Sequence, residues 1–168
     1  MRITFHPMTR SDFPRVGGWL GNPHVRTWWP EPDAETEFGA AVDGTEPTSA
    51  FLFHVDGEPV GVVQCYRHAD HPGWDREVGV PAAVGIDYLV GESDRCGRGI
   101  GTAAITAFTE LVLARYPDAD AVVAVPQRDN RSSCRALEKA GYELLDERVL
   151  DSDDPSDAGV SAIYAVRR

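Results

Sequence analysis

The sequence predicts a mixed α/β (α+β) fold, a sheet flanked by helices, and three observations carry that expectation. Two β-rich runs, Ala50–Val55 and Pro59–Tyr66, are separated by Asp56-Gly57, a strong hairpin signal. A third run, Val84–Val90, leads through a glycine-rich turn into a long helical pattern ending at Arg115. Two further strands, Tyr142–Leu150 and Val160–Val166, close the chain around the acidic turn DSDDPSDAG. The predicted order is β-α-α-β-β-β-α-β-α-β-β, in which strands and helices mix rather than segregate.

Taken in order, Arg2–Pro7 alternates enough for a first strand, closed by Pro7. Ser11-Asp12 is placed to cap a short helix through Leu20, with Pro14 tolerated in its first turn. The segment WLGNPHVRTWWPEPD is aromatic and proline-punctuated, unlike a regular element. Asp33 then caps a second helix to about Val42. After the hairpin, Arg67–Ala83 reads as a connection of 17 residues, longer than compact domains usually carry without a reason. In the helix Gly99–Arg115, apolar residues recur at Ile100, Ala103, Ala104, Ala107, Phe108, Leu111 and Val112, an amphipathic stripe. Ala121–Val125 is another apolar strand, and Asn130 caps a helix that runs to Ala140 and stops at Gly141. No repeat or low-complexity linker interrupts the chain, so residues 1–168 are expected to form one domain.

Composition narrows the function classes. The formal net charge of −11 disfavours nucleic acid and membrane surfaces and would attract a cationic substrate. No apolar run reaches about 18 residues, so no transmembrane helix is expected, and MRITFHPMTR lacks a signal-peptide apolar core. Three widely spaced cysteines, Cys65, Cys96 and Cys134, suggest free thiols and a reducing, cytoplasmic setting.

The stretch Arg95-Cys96-Gly97-Arg98-Gly99-Ile100-Gly101-Thr102 is the most informative. Its glycines fall at a strand-to-helix turn, where free backbone N–H groups and the positive end of the helix dipole make an anion site. Missing side chains let a phosphate approach, and Arg98 and Arg95 add charged donors. The dinucleotide pattern G-x-G-x-x-G fails, because Thr102 stands at its last position, and no Gly-Lys-Ser/Thr follows for a P-loop. What fits is x-x-G-x-G opening a helix after an Asp-bearing strand.

That arrangement resembles the acyl-CoA pyrophosphate loop of the GNAT N-acetyltransferases, usually written Q/R-x-x-G-x-G/A. Cys96 occupies the usual Gln/Arg position, with Arg95 one residue early. Asn130 to Tyr142, NRSSCRALEKAGY, is similar to the family's N-x-x-(small)-x-x-x-Y-x-K-x-G-F/Y segment, in which the Asn caps the helix and bonds the CoA arm. The WL-x-x-P-HV-x-x-WW segment, the DGEPVG hairpin and the GID before the loop resemble the aminoglycoside 6′-N-acetyltransferases and the related siderophore lysine N-acyltransferases.

The resemblance implies the GNAT acyl-CoA N-acyltransferase fold, a mostly antiparallel sheet whose strands splay at the CoA site. It implies acetyl-CoA as co-substrate, with no metal, bound by the Arg95–Thr102 loop, Asn130 and Ser133. The backbone of Tyr88, Leu89 and Val90 would pair with the pantetheine and supply the oxyanion donor. Asp87, an acidic residue within an apolar strand, matches the catalytic acid of the 6′-N-acetyltransferases, as general base or as a carboxylate that holds the ammonium. Trp28 and Trp29 match the paired tryptophans that wall the acceptor pocket, with core packing as their alternative role. Trp74 and Asp75 in the long connection join them as acceptor-site candidates. One departure stands out: the family tyrosine that protonates the leaving sulphur falls at Leu137. Ser133, Cys134 or water are the remaining donors. His68-Ala69-Asp70-His71 lacks the further ligands a metal site needs, and His24 reads as a packed structural histidine.

The expected protein is a cytoplasmic acetyl-CoA-dependent N-acetyltransferase, a monomer or homodimer, acting on a small cationic amine, aminoglycoside-like first. A lysine-type siderophore precursor and a non-catalytic acyl-CoA-binding role are the alternatives.

Overall fold

The computed structural model, which describes all 168 residues, starts with β1 (Ile3–Pro7) and a 3-10 turn that runs into α1 (Phe13–Leu20). Asp12 is the N-cap residue of α1, as the sequence suggested, but its side chain makes no cap bond to that helix. It accepts instead from the Thr9 N–H at 2.9 Å, across the 3-10 turn that Thr9 caps. A one-turn helix follows, α2 (Pro23–Arg26), inside the segment that showed no regular pattern. Helix α3 (Ala34–Asp43) is capped as expected, the Asp33 side chain accepting from the Thr36 N–H.

Strands β2 (Thr48–Val55) and β3 (Glu58–Arg67) form the hairpin. Asp56 and Gly57 both have positive φ, 50° and 87°, the left-handed pair that matches the twist of the flanking strands. The Arg67–Ala83 connection is not a bare loop. It holds a 3-10 turn (His68–Asp70) and α4 (Pro72–Val78), which ends at Gly79 with φ 74°. Then come β4 (Ala83–Val90), α5 (Ile100–Arg115), β5 (Ala121–Ala124), α6 (Arg131–Lys139), β6 (Glu143–Val149) and β7 (Val160–Arg167).

All seven strands join one sheet in the order β1-β2-β3-β4-β5-β7-β6. Every pairing is antiparallel except β4 with β5. Helices α5 and α6 cover one face, where Ile100, Ile105, Phe108 and Leu137 pack on Val63, Val84, Ile86 and Val122. Helices α1 and α3 cover the other, where Val16, Leu20 and Phe38 pack on Leu52, Val62 and Leu89. The buried stripe of α5 is Ile100, Ala104, Ile105, Phe108, Thr109 and Val112. It is rotated toward Ile105 and Thr109 relative to the expected one, and the buried Thr109 hydroxyl is satisfied by the Ile105 carbonyl and the Tyr142 hydroxyl.

Candidate active site

The centre of the molecule is a gap in the sheet. β4 pairs with β5 only over Ala83–Gly85 against Ala121–Val123. From Ile86 onward the β5-facing edge of β4 has no strand partner, while its other edge stays paired with β3 through Val90. The backbone of Tyr88, Leu89 and Val90 therefore presents an open edge at the site where an extended ligand would add as a strand.

Beyond this edge the chain turns through Ser93–Arg95 and enters α5. Gly97 and Gly99 have φ of 72° and 77°, a left-handed geometry that favours glycine, and Gly99 is the N-cap of α5. Gly101 has no such backbone demand, and a Cβ built there meets nothing within 4 Å. Its missing side chain leaves open space over the first turn of a 16-residue helix, the place an anion would use. Arg98 is exposed beside it, whereas Arg95 donates to Glu58 at 2.8 Å. Ile100 is buried in the core below the loop, and Thr102 is partly buried in the same first turn of α5. Cys96 is largely exposed, its thiol directed to the Glu92 carbonyl, and partial burial with the nearby Asp94 charge pushes the thiol up.

The structural reading of His24 holds, but sequence reasoning missed what it secures, the end of β4. The His24 Nε2–H donates to the Val90 carbonyl at 2.9 Å, and the Asn22 amide to the Gly91 carbonyl at 2.8 Å. The Trp19 indole N–H donates to Glu92 at 2.9 Å, and its ring lies so close that a Cβ on Gly91 would sit 2.2 Å from it. The WLGNPHV segment thus clamps the strand end from which the glycine loop departs. Its signal was the polar Asn22 and His24 within an otherwise apolar corner.

Around the gap lies an open pocket of about 670 Å³. Six carboxylates line it: Glu31 and Glu37 from the α3 region, Glu46 before β2, Asp87 on β4, and Asp154 and Asp157 in the β6–β7 turn; no Lys or Arg does. Asp87 stands opposite Gln64 on β3, whose amide donates to it at 2.9 Å. Burial pushes the Asp87 carboxyl up to about 6, with Asp157 and Asp154 adding repulsion and Gln64 opposing. Burial and the neighbouring charges of Asp154, Asp87, Glu31 and Glu46 push Glu37 up to about 7. Asp157 is raised by burial too, although Ser152 donates to it at 2.6 Å. Only Asp87 and the acidic turn were singled out from the sequence. Glu31, Glu37 and Glu46 come together through folding and carried no motif.

Trp28, Trp29 and Trp74 all line the pocket. Trp29 also packs on Phe38 at 5.8 Å, so it shares in the core. Asp75 is a correction. It lines a separate cleft of about 220 Å³ with Arg67 and Asp118, because adjacent residues of α4 point in different directions. Beside Trp74, Tyr66 stacks on His68 and meets His71 edge-on. Burial lowers His68 to about 4, so it is neutral, and neither of its ring nitrogens has a partner. No three potential metal-ligating side chains cluster.

On α6, the Asn130 side chain accepts from the Ser133 N–H at 3.3 Å, and both residues line the pocket. Leu137 is wholly buried in the core, and Tyr142 is buried with its hydroxyl bonded to Thr109. The Cys134 thiol points to the Gln127 and Arg128 carbonyls, away from the pocket. Ser133 is bonded instead to the Tyr88 hydroxyl, at 2.5 Å.

A helix N-terminus open to phosphate, a strand edge open to an extended arm and an acidic pocket between them fit an acyl-CoA-dependent transferase. Residues 8–150 match the acetyltransferase (GNAT) domain family, and the chain belongs to it; it is an acetyl-CoA-dependent N-acetyltransferase. Aminoglycoside N(6′)-acetyltransferase type 1 from Klebsiella pneumoniae is 29% identical over 149 residues, covering 84% of this chain and 74% of the relative; the Serratia marcescens protein of that name matches equally. The crystal structure of aminoglycoside acetyltransferase AAC(6′)-Ib with coenzyme A and kanamycin superposes with a TM-score of 0.85 at 27% identity, over 99% of this chain and 95% of that one. The same enzyme with paromomycin and acetyl-CoA gives the same score and identity, over 100% and 94%.

Proposed function

We propose that this protein transfers the acetyl group of acetyl-CoA to a primary amine of an aminoglycoside-like polycation, as the 6′-N-acetyltransferases it resembles do by name. The observation that carries this reading is the six-carboxylate pocket, free of Lys and Arg, at the open edge of β4. Such a pocket attracts several ammonium groups at once. It repels the carboxylate of a free lysine-type acceptor, which argues against the siderophore-precursor alternative.

In this reading residues 1–168 act as one catalytic domain. Acetyl-CoA lays its pyrophosphate on the Arg98–Thr102 turn, with Asn130 beside its arm. The arm pairs along Tyr88–Val90, whose N–H groups polarise the thioester oxygen. Trp28, Trp29 and Trp74 wall the sugar rings. Asp87 draws in the ammonium and takes the amine proton; a carboxyl near 6 is ionised at neutral pH yet basic enough to accept one. Neutral amine then attacks the thioester carbon. Steady-state CoA release with kanamycin-type aminoglycosides, diamines and lysine tests the assignment. Turnover confined to the aminoglycosides is expected; preferential turnover of lysine, or none with any amine, would refute it.

A further inference from the structure

Asp87 and Tyr88 are neighbours on a strand and so point to opposite faces of the sheet. Asp87 shares its face with Leu89, which packs under α1 and α3. Tyr88 shares its face with Ile86 and Val90, under α5 and α6. The loop at the N-terminus of α5 belongs to this second face, so the thioester enters the gap from the α5–α6 side and the amine from the Asp87 side. Attack from one face sends the sulphur toward the other.

There the Tyr88 hydroxyl and Ser133 Oγ stand 2.5 Å apart, bridging β4 to the first turn of α6 across the gap, and both line the pocket. No other side chain of α6 can serve the sulphur in this way: Leu137, one turn on, is buried and apolar, and the Cys134 thiol is turned to backbone carbonyls. Two hydroxyls carry two protons, and their mutual bond occupies one. The other O–H is free. Burial holds the Tyr88 phenol far above its usual range, so it remains a donor throughout the working pH.

We infer that Tyr88 and Ser133 form a shared hydroxyl donor that hydrogen-bonds the sulphur of acetyl-CoA as it leaves, making both catalytic residues. The inference rests on the acetyl-transfer reading above. Asp87 first passes the ammonium proton to solvent; the amine lone pair then forms the C–N bond, the C–S electron pair passes to sulphur, and the second N–H proton passes to the freed Asp87 carboxylate. The thiolate departs under the hydroxyl hydrogen bond, without taking the hydroxyl proton, and meets its own proton in solvent, to which Asp87 returns the one it accepted. Because a CoA thiolate is a moderate base, with a thiol pKa of about 8.5, a hydrogen bond to the developing charge is enough and full proton transfer from a raised phenol is not required.

The test uses the full chain, with single-turnover acetyl transfer to the best aminoglycoside, CoA affinity by calorimetry and Tm for each variant. In Tyr88→Phe or Ser133→Ala the remaining hydroxyl still donates, so each rate should fall by less than about tenfold, whereas the double variant should fall about 10²–10³-fold. That loss exceeds the product of the singles, with CoA affinity little changed. A double variant that transfers acetyl as fast as wild type overturns the assignment. So does a double variant whose loss equals the product of the singles and tracks Tm. Should the double variant not fold, Tyr88→Met with Ser133→Ala keeps apolar bulk on β4 and is judged by the same comparison. A wild type that releases no CoA with any amine would instead strike the proposed function itself.

Discussion

Replacing Asp87 by Asn should make the protein more stable and much less active, and the two effects come from one cause. The Asp87 carboxyl is raised from its ordinary 3.8 to about 6, chiefly by burial. A raised acid favours the protonated folded state. Between those values the native protein holds a proton that the unfolded chain has lost, so stability falls as pH rises through this window. At about 1.4 kcal/mol per tenfold change in proton affinity, the full penalty above pH 6 would be about 3 kcal/mol. Asp87 keeps some access to water, which trims this to about 1–3 kcal/mol. Asn keeps the shape and an oxygen for the Gln64 amide but never ionises. Tm at pH 8 should therefore rise by about 3–9 °C at roughly 3 °C per kcal/mol, with little change at pH 4. Meanwhile kcat should drop about 10²–10⁴-fold, and the acidic limb near pH 6 should vanish from the kcat/KM profile. Thermal melts at both pH values beside a pH–rate series check this. A variant that melts lower at pH 8, or keeps kcat within about tenfold of wild type, would refute the reasoning.

Other outcomes follow from the same geometry. Gly101→Asp should abolish CoA binding in calorimetry while barely moving Tm, since a side chain there meets no protein atom and only repels phosphate; retained affinity would remove the pyrophosphate from this turn. Trp28→Ala should raise the aminoglycoside KM and leave CoA affinity near normal; Trp29→Ala should also lower Tm, because Trp29 packs on Phe38. Raising salt from 50 to 500 mM should raise the KM of a tri- or tetra-cationic acceptor far more than that of a monoamine, because the carboxylate pocket acts through a screened field; parallel increases would argue against the acidic pocket as the acceptor site. His24→Phe, which cannot donate to Val90, should weaken CoA binding and cost about 1 kcal/mol of stability, read by calorimetry and urea denaturation.

The parts of the fold governed by local chemistry could be read in advance. Asp56-Gly57 demands a two-residue turn, Asn130 and Asp33 cap helices, and Gly97 and Gly99 mark the start of α5 through backbone geometry that few other residues accept. Helix α4 escaped notice because seven residues opened by a proline carry too little periodicity to stand out. Asp75 looked equivalent to Trp74 in a loop, but once a helix forms, neighbours diverge by about 100° and only one can face the pocket. Glu31, Glu37 and Glu46 had no legible role, because an electrostatic pocket depends on which segments meet rather than on any spacing along the chain. The same holds for Tyr88 and Ser133, 45 residues apart in sequence and in hydrogen-bond contact in space.

The short pairing of β4 with β5 has a mechanical meaning. Two antiparallel ribbons, β1-β2-β3-β4 and β5-β7-β6, are joined through the sheet by three residue pairs, a seam where the molecule is easiest to pry apart. A ligand laid along the free edge of β4 lengthens that seam, as a zipper pull closes a coat. Amides of Ala121–Val123 should then exchange with solvent faster than those of the β2–β3 hairpin in the free protein, and the difference should shrink when CoA binds. The cofactor arm becomes, in effect, a removable stitch between the half that holds the phosphate loop and the half that carries the acidic turn.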